Sequence, residues 1–293
     1  MSDFAFPDFP VSLEAAVAAD VEAALAEDVG MGDLSARLVP PEISARAAVV
    51  TREMGILCGQ PWFDAVFARL DSDVRVEWRV AEGARVEPGE TLCALSGSAR
   101  ALLTGERSAL NFLQLLSGVA SRARKYADLV SGLGAIIVDT RKTLPGLRAA
   151  QKYAVRVGGG GNHRFALWDA ILIKENHIHA AGGISLALAS AQKIAREEAD
   201  RCRFVQVEVR NLEEMREALA AGAAMLLLDN FSLSALREAV AENRCRPQPA
   251  ILEASGGITE ETLVAAARAG VDRVSIGALT KNIEALDLSL RFF

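Results

Sequence analysis

Along the second half of the chain, short apolar runs recur without polar alternation, and each stops on a polar residue or a glycine. AIIV leads into Asp139, AILI into Lys174, FVQV into Glu208, MLLL into Asp229, AILEA into Ser255, Gly256 and Gly257, and RVSI into Gly277. Runs this short, separated by helical spacing, predict parallel strands buried on both faces. In a parallel α/β barrel every strand C-terminus opens onto one face, so these endings are expected to converge on one site. Six such strands after residue 134 fall short of the eight of a closed barrel, so the pattern leaves both an open and a closed barrel standing.

The helices between these strands repeat one design. EALAAGAAMLLLDN and VAAARAGVDRVSIGA share a helix end, a glycine stop at Gly222 or Gly270 and a buried strand, while Asn211 or Thr259 precedes an acidic pair as a candidate N-cap. The first half has another rhythm. It predicts a helix from Leu13 to about Glu27, a glycine-broken stretch through Gly30 and Gly32, and strands around Ala45 to Thr51 and Val74 to Val80. AEGARVEPGETLCALSG reads as tight turns joining short strands, and a long helical pattern from Gly105 to Ser121 leads toward the barrel. The expected division is a small α/β domain over residues 1–116 and a barrel over 117–280, with the tail at about 281–293 packing on the first.

At 293 residues with 51% apolar composition, the chain has ample material for a large core. A net charge of −6 and a pI near 5.3 argue against nucleic acid or an anionic membrane as partner. No apolar stretch reaches membrane-spanning length, and Asp3 and Asp8 replace the basic start of a signal peptide, so a cytoplasmic protein is expected. Cys58, Cys93, Cys202 and Cys245 form no CxxC pair, which fits a reducing compartment and structural roles.

Between Thr140 and Arg164 there is no Asp or Glu, while Arg141, Lys142, Arg148, Lys152, Arg156 and Arg164 bring six positive charges into an acidic chain. An anionic substrate follows naturally. Arg148, Lys152 and Arg156 are spaced as one helix face, which reads as solvated or as meeting a partner chain. Arg141 and Lys142 follow a strand end, His163 and Arg164 follow a flexible run of four glycines and an Asn, and with Lys174 they make a candidate clamp for carboxylate or phosphate. Glu208 and Asp229 end successive strands and suit a shared magnesium ion or a developing cation, or else cap helices and pair with Lys174. The loops at Ser255, Gly256 and Gly257 and at Gly277 and Ala278 follow the last two strands, where barrels commonly hold phosphate on backbone amides, with Glu260 and Glu261 expected to face solvent. His177 and His179 lack the further histidines of a zinc site, since only His163 remains.

Read as strings, DTRKTLPGLRAAQKYAVRVGGGGNHR, LIKENHI, VEVRNLEE, LLLDN, LEASGGIT and SIGALTK, preceded by TGERSALNFLQLLSGVAS, resemble the quinolinate phosphoribosyltransferase family over nearly the whole chain, from about Ala26 onward. The resemblance implies an open, seven-stranded parallel α/β barrel with a smaller N-terminal α/β sandwich domain. It implies transfer from phosphoribosyl pyrophosphate to quinolinate with decarboxylation, magnesium as cofactor, and a homodimer with shared sites. By resemblance, Arg141, His163, Arg164 and Lys174 clamp the dicarboxylate, with Thr140 in the same block as Arg141, and Arg107 reaches in from the other subunit. Lys142, Glu208 and Asp229 serve the phosphoribosyl half, while Ser255, Gly256, Gly257, Gly277 and Ala278 hold its phosphate. The resemblance thus implies Lys142, Lys174, Glu208 and Asp229 as the catalytic group. Trp168 stands where the family pattern leads one to expect a smaller residue or Tyr, with packing behind the site in question.

Three alternatives compete. A paralogue associated with molybdenum transport would share the fold, but the complete set of Arg107, Arg141, His163, Arg164 and Lys174 argues against it. A Schiff-base lyase would use Lys174 as a neutral amine. A biotin- or lipoate-carrying module, which the turns near Gly83 and Gly89 resemble, has no lysine to acylate before Lys125; a dimer that only binds its ligand would be distinguished by turnover.

Overall fold

The structure is a computed structural model and describes residues 10–293, so Asp3 and Asp8 lie outside the described residues. Helix α1 (Leu13–Asp28) is followed by β1 (Ser44–Thr51), β2 (Gly55–Ile56), α2 (Gln60–Leu70), β3 (Arg75–Trp78), β4 (Arg85–Val86), β5 (Thr91–Ser98) and the long α3 (Ala99–Leu129). The chain continues through β6 (Ile136–Val138), α4 (Arg148–Val157), β7 (Ile171–Ile173), α5 (Glu175–Ala181), α6 (Ile184–Glu197), β8 (Val205–Val209) and α7 (Leu212–Ala220). It ends with β9 (Met225–Asp229), α8 (Leu233–Arg244), β10 (Ile251–Ser255), α9 (Glu260–Ala269), β11 (Arg273–Ser275), α10 (Ala278–Lys281) and β12 (Leu288–Phe292). Two compact units result. The first runs to Arg124 and adds Thr143–Gly159 and Leu279–Phe293; the second comprises Lys125–Lys142 and Gly160–Ala278.

In the first unit, an antiparallel sheet of order β12-β1-β5-β3 brings the C-terminal strand against β1, with Val49 opposite both Leu290 and Cys93. The apolar residues of α2 and α3 supply its core, among them Trp62, Phe63, Phe67, Leu102, Leu110 and Leu113. Two buried polar side chains there, Glu82 and Ser117, are paired, as burial without partners would cost a few kcal/mol each. Glu82 accepts from the backbone N–H groups of Gly59 and Gln60 at the start of α2 and from the Tyr153 hydroxyl of α4. Ser117 of α3 accepts from Cys58 N–H at 2.9 Å and donates to its carbonyl at 3.1 Å.

Helix α4 departs from a solvated face, one of the two readings of its Arg148, Lys152 and Arg156 spacing. Lys152 is fully buried, because its neighbours Gln151 and Val155 are buried with it and the helix has no wholly exposed side there.

The second unit holds a six-stranded parallel sheet in the order β6-β11-β10-β9-β8-β7. The apolar runs form its strands as the pattern predicts, with Val207, Val209, Leu226, Leu228, Leu252 and Val274 buried. Asn211 accepts from Glu214 N–H and Thr259 from Thr262 N–H, as N-caps, and Gly222 and Gly270 take φ of 88° and 96° at the helix ends. β6 and β7 lie at opposite edges of this sheet and do not pair, so it is open. The sheet has six strands where the resemblance implies seven; beside β6, Gly161 adds only a single parallel bridge to Val138, because the glycines before Asn162 carry no side chains to pack as a strand.

Gly118 of α3 marks a close approach within the first unit: an added Cβ would stand 2.1 Å from the Glu284 carbonyl oxygen. Gly118→Ala is therefore expected to cost about 1–3 kcal/mol of stability, read as a lowered urea midpoint by circular dichroism. An unchanged midpoint would show that the tail strand yields at no cost.

Candidate active site

The strand ends of the second unit do meet. Thr140, Arg141 and Lys142 after β6, Lys174 after β7, Glu208 of β8, Asp229 of β9 and Ser255 of β10 line one cavity of about 430 Å3, together with His163 and Arg164 from the loop that follows the glycines. Glu208 stands opposite Leu227 on the neighbouring strand, and Leu227 and Asp229 are two residues apart, so both carboxylates project from one face of the sheet. Thr140 accepts from the Lys142 N–H at 3.1 Å, which turns the chain sharply after the strand.

The loop carrying His163 and Arg164 is braced from two sides. Asp139, fully buried, accepts from Asn162 Nδ2 at 2.6 Å and from the His163 N–H at 3.0 Å. The His163 ring accepts at Nδ1 from the Arg164 N–H at 2.7 Å, so its Nε2–H is the donor toward Gln206 Oε1 at 2.8 Å. Gln206 in turn donates to Glu253 Oε2 at 3.2 Å, and His163 Nε2 lies 3.5 Å from Glu253 Oε1. Farther along, the buried Asp169 accepts from the N–H groups of Phe165 and Ala166 and binds Arg203 at 2.6 Å, closing the loop behind Arg164.

Electrostatically the cavity is divided. Arg164 is only 7% exposed, and its pKa is lowered by burial first and then by the neighbouring charge of Arg141, with Asp169 and Glu208 acting the other way. Two guanidiniums in one low-dielectric corner repel, and an anion entering between them would relieve that repulsion. Lys174 pairs with Glu208 at 2.6 Å. A lysine so paired is poorly arranged for the neutral nucleophile that a Schiff-base lyase requires. Burial pushes the Glu253 carboxyl up from its ordinary range, with hydrogen bonds and Arg273 opposing.

The remaining candidates lie elsewhere. Gly256 and Gly257 border a smaller, mostly apolar cavity of about 280 Å3 that shares Ser255 with the first. Gly277 sits against Lys142, where a Cβ would come within 3.0 Å of Lys142 Cδ, and Ala278 opens α10. Arg107 is exposed on α3 of the first unit. Glu260 pairs with Lys125. His177 is exposed and accepts at Nδ1 from the Lys174 N–H, bracing that residue's backbone, and His179 is exposed too. Trp168 is 44% exposed beside Phe165 and lines neither cavity. Sequence reasoning passed over Asn162, Gln206, Glu253 and Asp169. The signal for two of them was present: Gln206 and Glu253 are polar residues inside otherwise apolar strand runs.

All four cysteines are free. Among the described residues no helix is long and apolar enough to cross a membrane, and no three His, Cys, Asp or Glu side chains are grouped to hold a metal.

Two family models match the chain: Quinolinate phosphoribosyl transferase, N-terminal domain, over residues 33–117, and Quinolinate phosphoribosyl transferase, C-terminal domain, over residues 119–291. A probable nicotinate-nucleotide pyrophosphorylase [carboxylating] of Bacillus subtilis is 41% identical over 264 residues, covering 90% of this chain and 89% of that protein. The human nicotinate-nucleotide pyrophosphorylase [carboxylating] is 38% identical, covering 88% of this chain and 86% of that protein. Among solved structures, the nicotinate-nucleotide pyrophosphorylase of Francisella tularensis superposes with a TM-score of 0.90 at 43% identity, covering 97% of this chain and 99% of that one.

The raised Glu253 carboxyl gives a test of how the cavity floor is charged. A carboxyl whose folded pKa is raised contributes stability that is present below the unfolded value, about 4.3 for glutamate, and lost as pH rises through the folded one. Glu253→Gln removes that loss while keeping an acceptor for Gln206. Urea unfolding at pH 4.5 and pH 8 should show a flatter dependence for the variant than for the parent chain; parallel curves would mean that burial does not raise the Glu253 pKa.

Proposed function

The chain belongs to the quinolinate phosphoribosyltransferase family, and from that membership we infer that it transfers the phosphoribosyl group of phosphoribosyl pyrophosphate to quinolinate, giving nicotinate mononucleotide, carbon dioxide and pyrophosphate in NAD biosynthesis. The observation that carries this reading is the convergence of Arg141, Arg164, Lys142 and Lys174 with Glu208 and Asp229 on one cavity. A planar dicarboxylate needs several cations, and a ribosyl cation developing beside it needs acids. The cavity has both.

In this reading Arg141, Arg164 and Lys174 hold the two carboxylates of quinolinate, with guanidinium forks suited to bidentate contact. His163 belongs to the same wall, its ring tied to Gln206 and so fixing the loop from which Arg164 projects. The ring nitrogen of quinolinate, held in place, attacks the anomeric carbon as the bond to pyrophosphate breaks. Positive charge builds on the ribose in that step, and Glu208 and Asp229 stabilise it. Lys142 takes the negative charge of the departing pyrophosphate or of quinolinate, and the backbone amides at residues 255–257 and around Gly277 and Ala278 hold the ribose phosphate. With its nitrogen quaternised, the pyridine ring accepts the electron pair left when the adjacent carboxylate departs as carbon dioxide. A proton then fills that ring position.

Magnesium fits this arrangement. Glu208 and Asp229 would hold it together with water and substrate oxygens, since two carboxylates on neighbouring strands are enough for an ion that keeps several waters, and no larger protein cage exists among the described residues. When bound, it supplies charge neutralisation for the leaving pyrophosphate. The four free thiols support a cytoplasmic setting. We place the enzyme in a homodimer whose Arg107, exposed on α3, enters the partner's cavity and adds a further cation to the clamp.

Carboxyl-labelled quinolinate should release carbon dioxide only when phosphoribosyl pyrophosphate and magnesium are both present. Release without the pyrophosphate, or none from folded protein, would sink the assignment. The shared site has its own test. Arg107→Ala and Lys174→Ala are each expected to lose about 100-fold or more in kcat/KM, as loss of a charge contact worth about 3 kcal/mol to the enclosed substrate implies, and mixed dimers of the two should regain activity through one intact site. Mixtures that exchange subunits yet stay inactive would place Arg107 outside the site.

A further inference from the structure

We propose that Asn230 is a positioning residue that couples the carboxylate half of the phosphoribosyl site to its phosphate loop. The proposal rests on the reading of Asp229 and residues 255–257 given above. Among the described residues, Asn230 is the one non-glycine with positive φ, at 56°. Asparagine tolerates this left-handed conformation better than most residues, because its short side chain can bond locally. Three contacts give that conformation a use. The carboxamide Nδ2 donates to Asp229 Oδ2 at 2.9 Å, fixing the rotamer of a carboxylate that lines the cavity. The Asn230 N–H donates to the Ser255 carbonyl at 2.9 Å, at the end of the strand paired with β9, where Ser255 stands opposite Asp229. Finally, the Asn230 side chain packs against Gly256 so closely that a Cβ there would lie 2.1 Å from Asn230 Oδ1.

One residue thereby grips both the acid and the loop. Gly256, with φ of 97°, has no side chain and so lets the Asn230 carboxamide occupy the space beside it. If Asn230 acts only as a turn, its carboxamide is dispensable. If it positions, losing the carboxamide loosens Asp229 and the loop together, while the basic clamp on the other strand ends keeps its geometry.

Calorimetric titration of ribose 5-phosphate and, separately, of quinolinate distinguishes these cases. Asn230→Gly keeps the left-handed backbone and the N–H to Ser255 and removes only the side chain. It is expected to weaken ribose 5-phosphate about tenfold, the worth of one hydrogen bond to a charged group, with quinolinate affinity within about twofold of the parent. Asn230→Asp keeps the size but sets a second carboxylate against Asp229, and should weaken ribose 5-phosphate at least as much and raise the KM for phosphoribosyl pyrophosphate. Unchanged ribose 5-phosphate binding in Asn230→Gly overturns the proposal. So does equal weakening of both ligands together with a lower unfolding temperature, which marks a structural role. A parent enzyme that turns over quinolinate but binds no ribose 5-phosphate would instead overturn the assignment of Asp229 and the loop to the phosphoribosyl half.

Discussion

The repulsion between Arg141 and Arg164 is the constraint around which the second unit is arranged. Arg164 is nearly buried, and both burial and its neighbour act against its charge. Like charges in such a corner persist only where the surrounding structure holds them. That structure is identifiable. Asp139 and Asn162 brace one end of the Arg164 loop, Asp169 with Arg203 the other, and Gln206 anchors the ring of His163 between them. Asp169 and Glu208 offset part of the cost to Arg164, and an anionic ligand seated between the two guanidiniums would relieve more of it.

The same loop explains why an open sheet suffices. β6 and β7 are the unpaired edges, yet Arg141 after the one and Lys174 after the other line the same cavity. The segment from Gly161 to Arg164 spans that gap. It bridges to Val138 of β6 at Gly161 and reaches Gln206 of β8 through His163. A paired strand there would have committed the backbone to a ladder and its side chains to alternating faces. The glycine-rich loop instead brings consecutive residues, His163 and Arg164, into the cavity wall. The missing strand pairing is what admits the arginine.

Much of this was legible in the residues, for reasons that differ by element. The six strands could be read because a parallel strand buried on both faces must be a short apolar run, and Asp229 and Lys174 because they break such runs at the end that opens on the site. The caps at Asn211 and Thr259 and the stops at Gly222 and Gly270 follow from local chemistry alone. Burial of Lys152 was illegible, since its spacing with Arg148 and Arg156 describes a face and says nothing of what covers it. Gln206 and Glu253 were visible as polar residues in strands, but their partner His163 is 43 positions or more away in sequence, and only the fold reveals the chain of bonds. The length of α3 escaped for a simpler reason: its pattern from Gly105 to Ser121 is the buried middle of a helix whose ends, at Ala99 and Leu129, carry less contrast.

The strand order also separates the acidic from the basic residues of the cavity, as the proposed transfer would require. Glu208, Asp229 and Ser255 sit on β8, β9 and β10, in the interior of the sheet, whereas Arg141 and Lys174 extend from its edges and Arg164 from the loop between them. Coulomb energy falls only as the inverse of distance in a medium of low dielectric, so acids and bases mixed at random would cancel each other's fields. Segregated by strand, they would, under the proposed function, draw a dianionic ring toward the open edge and favour positive charge over the centre. An ion pair between the two groups, Lys174 with Glu208, lies where these regions touch. Under the proposed function, a carboxylate of the incoming ring would take Glu208's place beside Lys174 and free Glu208 to face the ribose as the bond to pyrophosphate breaks. Substrate binding on the basic side would in that case prepare the acid on the other.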